Sequence, residues 1–412
     1  MTSPLVEVTS VWKAYPRWPA GSRTARAVLM RRLPAAVRRG DQHWALRDVS
    51  LAAARGESVG IIGSNGAGKS TLLRLAAGLG RPTRGRVALR GQAGAILSLG
   101  DSLDLRLTGR ENALTLGLIA GLSGASARAL VADALAFAEL EDVADAPVRT
   151  YSEGMKLRLA FGTVVQVVPQ VLLLDEVLAV GDLRFQARCL QRMRELREQG
   201  TTVLFASHDL GMVAAECERA LWLDQGAVLA RGSAGEVIEQ YRAAQRARTL
   251  ARTPATSRAP ESADLRLREN RVGTQALTID RVGVSSPGVT PEGEIATGEP
   301  VTIELDLTVH EGPIVDPIVS VTILRGSERQ TCCVTTTHAA GVRLGRLASQ
   351  STVRLTFDRL DLVPGEHVLD VGVYSADWED VYDFHWGAHR MFIGGPGPPE
   401  GVFRPPHRWE LG

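Results

Sequence analysis

Three clusters of residues in this chain have the types and spacing to handle a polyphosphate. Gly63, Ser64, Asn65, Gly66, Ala67, Gly68, Lys69, Ser70 and Thr71 follow the apolar run Ser58–Ile62 and lead into a helical pattern. In that context a glycine-rich loop lets backbone N–H groups approach phosphates, and the helix N-terminus adds its positive end. Lys69 then holds the β- and γ-phosphates and the Ser70 hydroxyl ligates Mg²⁺; a chance glycine-rich turn is the alternative. The second cluster is Asp175 and Glu176 at the end of the apolar stretch Val171–Leu174. Two carboxylates there are costly unless they meet a cation or a polar ligand. Asp175 suits Mg²⁺, and Glu176 suits a water aimed at the γ-phosphate, against the bland reading of solvated acids at a strand edge. Third, His208 closes the run Thr201–Ser207, at the carboxyl edge where ligands of α/β sheets collect. It is assigned as a γ-phosphate sensor, with a solvated or capping His as the alternative. Lys69, Glu176 and His208 are the catalytic candidates.

These groups need a sheet to bring them to one edge. Strand-like and helix-like stretches alternate from the opening strand Leu5–Val11 to Gln240, the pattern of a mostly parallel sheet covered by helices. Between them, Pro16–Gly40 holds seven arginines and no acid. From Arg242 to Glu269 the chain is rich in Ala, Arg, Thr, Ser and Pro, which reads as a helical tail running into a linker. Beyond Gly273, Val301, Ile303, Leu305, Leu307 and Val309 alternate with polar residues, as half-buried antiparallel strands do. The same period recurs at Val319–Ile323, Val353–Phe357 and Leu369–Val373, and six to nine such strands imply a β-sandwich. The expected domains are 1–245 with an Arg-rich insertion at 16–42, a linker at 246–268 and a sandwich at 269–412.

The 412 residues are long for one compact domain, and 47 Lys plus Arg against 46 Asp plus Glu argue against a nucleic-acid partner. The richest apolar stretch, Val171–Val180, is broken by Asp175 and Glu176, so no membrane span is expected. The N-terminus lacks the pattern of a secretory signal, which places the chain in the cytosol. Cys189, Cys217, Cys332 and Cys333 have no metal-ligand spacing. Alternation predicts that Cys332 and Cys333 face opposite ways.

Tyr151-Ser152-Glu153-Gly154-Met155, followed by Lys156–Ala160 and then by the Asp175-Glu176 strand, resembles the signature loop of ABC ATPases. The resemblance implies an α/β P-loop ATPase domain with a RecA-like core, an antiparallel β subdomain and an α-helical signature subdomain. It implies ATP with Mg²⁺ at Ser70 and Asp175, and a homodimer in which Ser152 and Gly154 address the γ-phosphate bound on the other copy. Ala179–Asp182 resembles the D-loop. Tyr15 sits where an aromatic stacks on adenine, with simple packing as the alternative. There are departures: Tyr and Met bound the signature, Glu153 replaces a small residue and is expected to point away from phosphate, and the usual Q-loop Gln is missing near Ile96–Gly100. With Arg184–Cys189, Leu362–Val368 and His407–Trp409, these variants are similar to the ATPases that export lipid-linked bacterial polysaccharides, above all O-antigen exporters with an appended immunoglobulin-like sandwich. That family works with a polytopic ABC-2-type permease, at the cytoplasmic face of the inner membrane, on a lipid-linked polysaccharide recognised by the sandwich.

In the sandwich, Trp378, Tyr382 and Trp386 stand with Phe384 and His385 among Asp377, Glu379, Asp380 and Asp383. Aromatic faces beside carboxylates suit sugars; equally, the rings could plug the sandwich or its dimer seam. The arginines of the insertion, among them Arg31 and Arg32, suit anionic headgroups or a glycan diphosphate, or form a merely solvated face. Two other functional readings remain at this stage: an exporter of teichoic acid, capsule or another cargo, and a glycan-binding protein whose ATPase serves as a regulatory switch.

Overall fold

The computed structural model describes residues 4–16, 42–97, 103–175, 183–259, 264–289, 293–326 and 329–395. Contacts divide the chain into two units, Met1–Arg242 and Ala243–Gly412. In the first, β1 (Val6–Pro16), β2 (Gln42–Ala53) and β4 (Arg84–Leu89) form an antiparallel sheet in the order β2-β1-β4. A second sheet runs β5-β6-β7-β3-β8-β9. It contains β3 (Ser58–Ile62), β5 (Ala93–Ile96), β6 (Val171–Asp175), β7 (Thr202–Ala206), β8 (Arg219–Asp224) and β9 (Ala227–Ser233). Its pairs are parallel except β8–β9. All of β3 and β7 is buried, as is β6 up to its terminal Asp175. That burial explains why these segments are continuous apolar runs rather than alternating ones. Val6, Val8 and Leu51 of the small sheet join Ile61, Leu73, Leu173 and Leu204 in one core.

The helices of this unit are α1 (Lys69–Ala76), α2 (Gly109–Ile119), α3 (Gly124–Ala138), α4 (Glu153–Gln166), α5 (Leu183–Glu198), α6 (Leu210–Glu216) and the first turns of the longer α7 (Ala234–Arg252). Helices α2, α3 and α4 enclose a separate core containing Ala113, Leu130, Leu135 and Leu159. Thr108 and Glu111 cap α2 reciprocally, the arrangement that a Thr followed three residues on by Glu makes possible.

In the second unit β10 (Arg271–Val272), β20 (Val381–Gly394), β19 (Gly365–Tyr374), β15 (Ile318–Arg325) and β16 (Gln330–Thr336) form one sheet in that order. Strand β12 (Ile295–Ala296) is added beside β20. A second sheet runs β11 (Leu277–Ser285), β13 (Val301–Val309), β18 (Gln350–Phe357), and β14 (Ile314–Val315) pairs with β17 (Arg346–Leu347). Ile303 and Leu305 from one sheet, with Ile323, Val371 and Ile393 from the other, make a single inter-sheet core. The six to nine strands expected become eleven among the described residues, because two-residue strands carry no periodicity. The chain from 246 to 268 holds the end of α7. Thr253 then accepts from Gly273 N at 3.0 Å, and Arg258 N donates to Gln275 Oε1 at 2.8 Å.

One side-chain expectation is corrected here. The pairing of β15 with β16 shifts between Ile323 and Leu324, which leaves Cys332 as an extra residue. With alternation broken at this bulge, Cys332 and Cys333 both pack against the inter-sheet core. All four cysteines are free thiols.

Candidate functional site

The phosphate loop is shaped by three glycines in the left-handed region: Gly63 at φ 150°, Gly66 at 74° and Gly68 at 108°. Two of them also mark close backbone approaches. A Cβ on Gly63 would lie 2.2 Å from the Leu223 carbonyl oxygen, and one on Gly68 would lie 2.5 Å from that of Ala45. A Cβ on Gly66, by contrast, would have nothing within 4 Å. The loop is therefore clamped at both ends by β8 and β2 and open in the middle. Lys69 begins α1 only 5% exposed, and its ammonium donates to Gly63 O at 2.9 Å and to Ser64 O at 3.2 Å. A buried ammonium at a helix N-terminus, over an open glycine loop, fits the phosphates of a nucleotide. Ser64, Asn65, Ala67, Ser70 and Thr71 complete the segment, with Ser70 exposed on the first turn of α1 and Ala67 buried.

Sheet register brings the other candidates to this edge. Ala206 pairs with Ile61 on one side and with Asp175 on the other. Ile61 and Ala206 are thus level with Asp175, and Gly63 and His208 each lie two residues beyond that level at the same carboxyl edge. Ser207 Oγ accepts from Asp209 N at 3.0 Å, and Asp209 caps α6 by accepting from Met212 N at 3.0 Å. This turn leaves His208 exposed. Glu176, the D-loop-like Ala179–Asp182, the arginines of the insertion and His407–Trp409 lie outside the described residues.

Ser152 is the N-cap of α4, accepting from Met155 N at 3.2 Å. A Cβ on Gly154 would meet only Ser152 Oγ, at 3.9 Å, so the start of this helix is unobstructed. Tyr151 anchors the motif, because its buried hydroxyl donates to Val143 O at 2.6 Å and burial pushes its pKa up. A Cβ on Gly109 would lie 2.4 Å from that hydroxyl, so glycine at 109 makes room for Tyr at 151. Glu153 gives its carboxylate to Lys156 on the same helix at 2.7 Å. Tyr15 is 42% exposed near the end of β1, with the Lys13 ammonium 5.1 Å from its ring centroid.

In the second unit a row of rings runs Trp378, Tyr374, Phe384, Trp386, with centroid separations of 5.0, 6.4 and 5.8 Å. Trp378, at 43%, is the exposed end. Tyr382 does not join this row. Register shifts between Val373 and Tyr374, leaving Tyr382 as an extra residue of β20, and its ring packs against the inter-sheet core. Tyr374 is the ring that the expected trio lacked; it lies over Gly372, where a Cβ would meet its hydroxyl at 2.6 Å. Asp383 and His385 turn inward. The Asp383 carboxylate takes both arms of buried Arg271, with Nε at 2.9 Å, and accepts from Ile279 N at 2.8 Å. His385 stands 3.2 Å from Asp383 and 3.1 Å from His389. Burial acts to raise the Asp383 pKa, but bonds from His385 and Arg271 outweigh it and hold the group below the usual carboxylate range. Burial, then the charges of His385 and Arg271, pull His389 down to about 4.

Among the described residues there is no cluster of His, Cys, Asp or Glu able to hold a metal by itself, and no helix long and apolar enough to cross a membrane. Residues 46–179 match the ABC transporter family model, and residues 268–401 match that of the Wzt C-terminal domain. The chain is 36% identical over 379 residues to the O-antigen export system ATP-binding protein RfbB of Myxococcus xanthus, covering 89% of this chain and 83% of that one. It is 38% identical over 242 residues to a protein of the same name from Klebsiella pneumoniae, covering 58% and 98%. It is 41% identical over 202 residues to the teichoic acids export ATP-binding protein TagH of Bacillus anthracis, covering 49% and 37%. A glycine loop clamped at the carboxyl edge of a parallel sheet, on a chain that shares both of its units with the first of these relatives, has one reading: the chain belongs to the ATP-hydrolysing, ATP-binding subunits of ABC transporters that carry a Wzt C-terminal domain.

Proposed function

We propose that this subunit powers export of a lipid-linked, O-antigen-like polysaccharide through a separate membrane permease, and that its second unit recognises the glycan. The observation that carries the reading is colinearity: similarity to an O-antigen export ATP-binding protein runs through 89% of the chain. The teichoic-acid relative matches only 49% of it, which favours the O-antigen-like cargo over that alternative.

In this reading two copies sandwich two ATP molecules head to tail. Lys69 and the loop N–H groups hold the phosphates from one copy, while Ser152 and Gly154 reach the γ-phosphate from the other. Ser70 and Asp175 hold the Mg²⁺ that neutralises charge on the phosphates. Glu176 orients the attacking water, His208 senses the γ-phosphate, and Tyr15 stacks on adenine. The chain is then peripheral, held at the cytoplasmic membrane face by the permease. Glycan contact is assigned to the ring row ending in Trp378 and Trp386, because adjoining rings with one exposed end suit a sugar face.

Two measurements test the two halves. Full-length Glu176→Gln protein should become dimeric on adding ATP in size-exclusion chromatography, and Lys69→Ala should abolish the shift. Persistence as a monomer sinks the sandwich arrangement. The cognate polymer should quench tryptophan fluorescence of the full-length chain, and Trp378→Ala should remove most of that quench. An unaltered spectrum at saturating polymer removes the glycan assignment.

A further inference from the structure

A cluster away from the phosphate loop joins the signature helix to the helix that follows the catalytic strand. Glu139, the C-cap of α3, has φ 57° and ψ 46°, a left-handed conformation whose usual occupant is Gly or Asn. Its carboxylate accepts from Arg158 of α4 at 3.1 Å and from Arg188 of α5 at 2.6 Å. Arg188 also donates to Phe137 O at 3.0 Å. Beneath these charges Phe137, Phe161 and Phe185 pack with centroids 5.9 to 6.4 Å apart, one ring from each of α3, α4 and α5. The Arg158 guanidinium lies 4.9 Å from the Phe185 ring centroid.

The chain order gives this cluster its importance. Helix α4 starts at Ser152, passes through Arg158 and Phe161, and ends just before β6, whose last residue is Asp175. Helix α5 begins seven positions after Glu176 and carries Phe185 and Arg188 within its first two turns. A carboxylate at 139 accepts an unfavourable backbone conformation and in return bonds both helices at once.

We infer that Glu139 is a positioning residue for ATP hydrolysis: it clasps α4 to α5 so that Ser152, at the start of α4, and the first two turns of α5 hold a fixed relative placement. The inference rests on the reading that Ser152 serves the partner copy's nucleotide. A misplacement of about 1 Å costs a reaction on the order of a hundredfold, so loosening the clasp acts on turnover rather than on the half-site that binds ATP through Lys69.

Glu139→Gly separates this role from a structural one, because glycine relieves the left-handed cap while deleting both ion pairs. In the purified full-length chain, kcat should fall at least tenfold. The KM for ATP, nucleotide affinity at dilutions where the chain is monomeric, and the unfolding midpoint of the first unit should stay level, or the midpoint should rise. Glu139→Gln, which keeps the length and polar contacts, should lose less. Turnover within twofold of wild type in Glu139→Gly overturns the inference, as does a loss that merely tracks a lowered midpoint. Ser152→Ala is the control. If it abolishes turnover while Glu139→Gly does not, only the clasp fails; if Ser152→Ala is itself silent, the head-to-tail reading fails first.

Discussion

In the first unit the groups assigned to phosphate are presented by backbone: left-handed glycines, a helix start, and strand ends aligned by register. In the second unit the charged interior is held side chain to side chain, with Arg271, Asp383, His385 and His389 bonded in series between two sheets. A backbone device tolerates changes of side chain and fails when a Cβ intrudes. A side-chain device fails when any one member goes, because each buried charge depends on its partner. The sharpest way to break this contrast is Asp383→Ala, which leaves the Arg271 guanidinium buried and uncompensated. Loss of one member of a buried pair costs about 3–5 kcal/mol. Hydrogen exchange should therefore show the second unit losing protection by that amount while basal ATP turnover holds. A cost below about 1 kcal/mol would mean that water reaches Arg271, and the contrast between the units would go with it.

The same network predicts a pH response in the second unit. His389 has its folded pKa lowered from 6.5 to about 4, so between those values the unfolded chain binds a proton that the folded one does not. Stability is fully present above the unfolded value and is lost as pH falls toward the folded one, by roughly 3 kcal/mol across the window. Unfolding followed at pH 7.5 and pH 4.5 should show this loss, and His389→Gln should reduce it, leaving the part that belongs to His367, whose ring burial also holds below its ordinary value. A pH-independent wild type would contradict the burial of this ring.

Glycines of the phosphate loop sharpen the other side. Gly68→Ala drives a Cβ against the Ala45 carbonyl oxygen in addition to a φ of 108°, and strain of this kind costs on the order of 1–3 kcal/mol. Gly66→Ala meets open space and pays only the left-handed conformation, about 1–2 kcal/mol. Gly68→Ala should thus lower the melting point further and lose ATP binding, while Gly66→Ala keeps more of the fold. The reverse order would show that the loop is not clamped where the distances place it.

How much could be read beforehand follows the same division. Strand β3 is found where its apolar run ends at the glycines, and α1 starts at Lys69, because a buried parallel strand and a glycine loop both leave local marks. The alternation of Val301–Val309 reports one buried face and appears as β13. Arg271 carried no mark of its role, since nothing near it in sequence announces Asp383 over a hundred residues later. Tyr382 stands outside the ring row and Cys332 faces the core for one reason: a bulge reverses the face of a residue, and bulges here depend on pairing partners far along the chain. Tyr374 was missed because its role depends on Gly372 beneath it and on rings from β20.

Within the signature, Tyr151→Phe removes one hydroxyl bonded to Val143 O and keeps the ring that fills the helical core. The expected cost is about 1 kcal/mol of stability, read as a small drop in the first unit's melting point. Turnover should fall more steeply than stability if the hydroxyl fixes Ser152, its neighbour. Parallel losses would make Tyr151 a packing residue alone.

The smallest effect concerns Glu153, a carboxylate in a loop that resemblance points at phosphate. Its side chain is 62% exposed and paired with the mostly buried Lys156, and a helical pair of this spacing is worth about 0.2–0.5 kcal/mol. A negative charge on the first turn of α4 adds a comparable amount at low salt through the helix dipole. Glu153→Gln should therefore cost well under 1 kcal/mol at low ionic strength and almost nothing in 0.5 M salt, where screening shortens the reach of surface charge to about 4–5 Å. Because Lys156 holds the carboxylate along its own helix, ATP-dependent dimerisation should change by less than about threefold. A larger gain in dimer affinity, relieved by salt in the wild type, would mean that the carboxylate faces the partner's phosphates and that Lys156 gives it up when the two copies close.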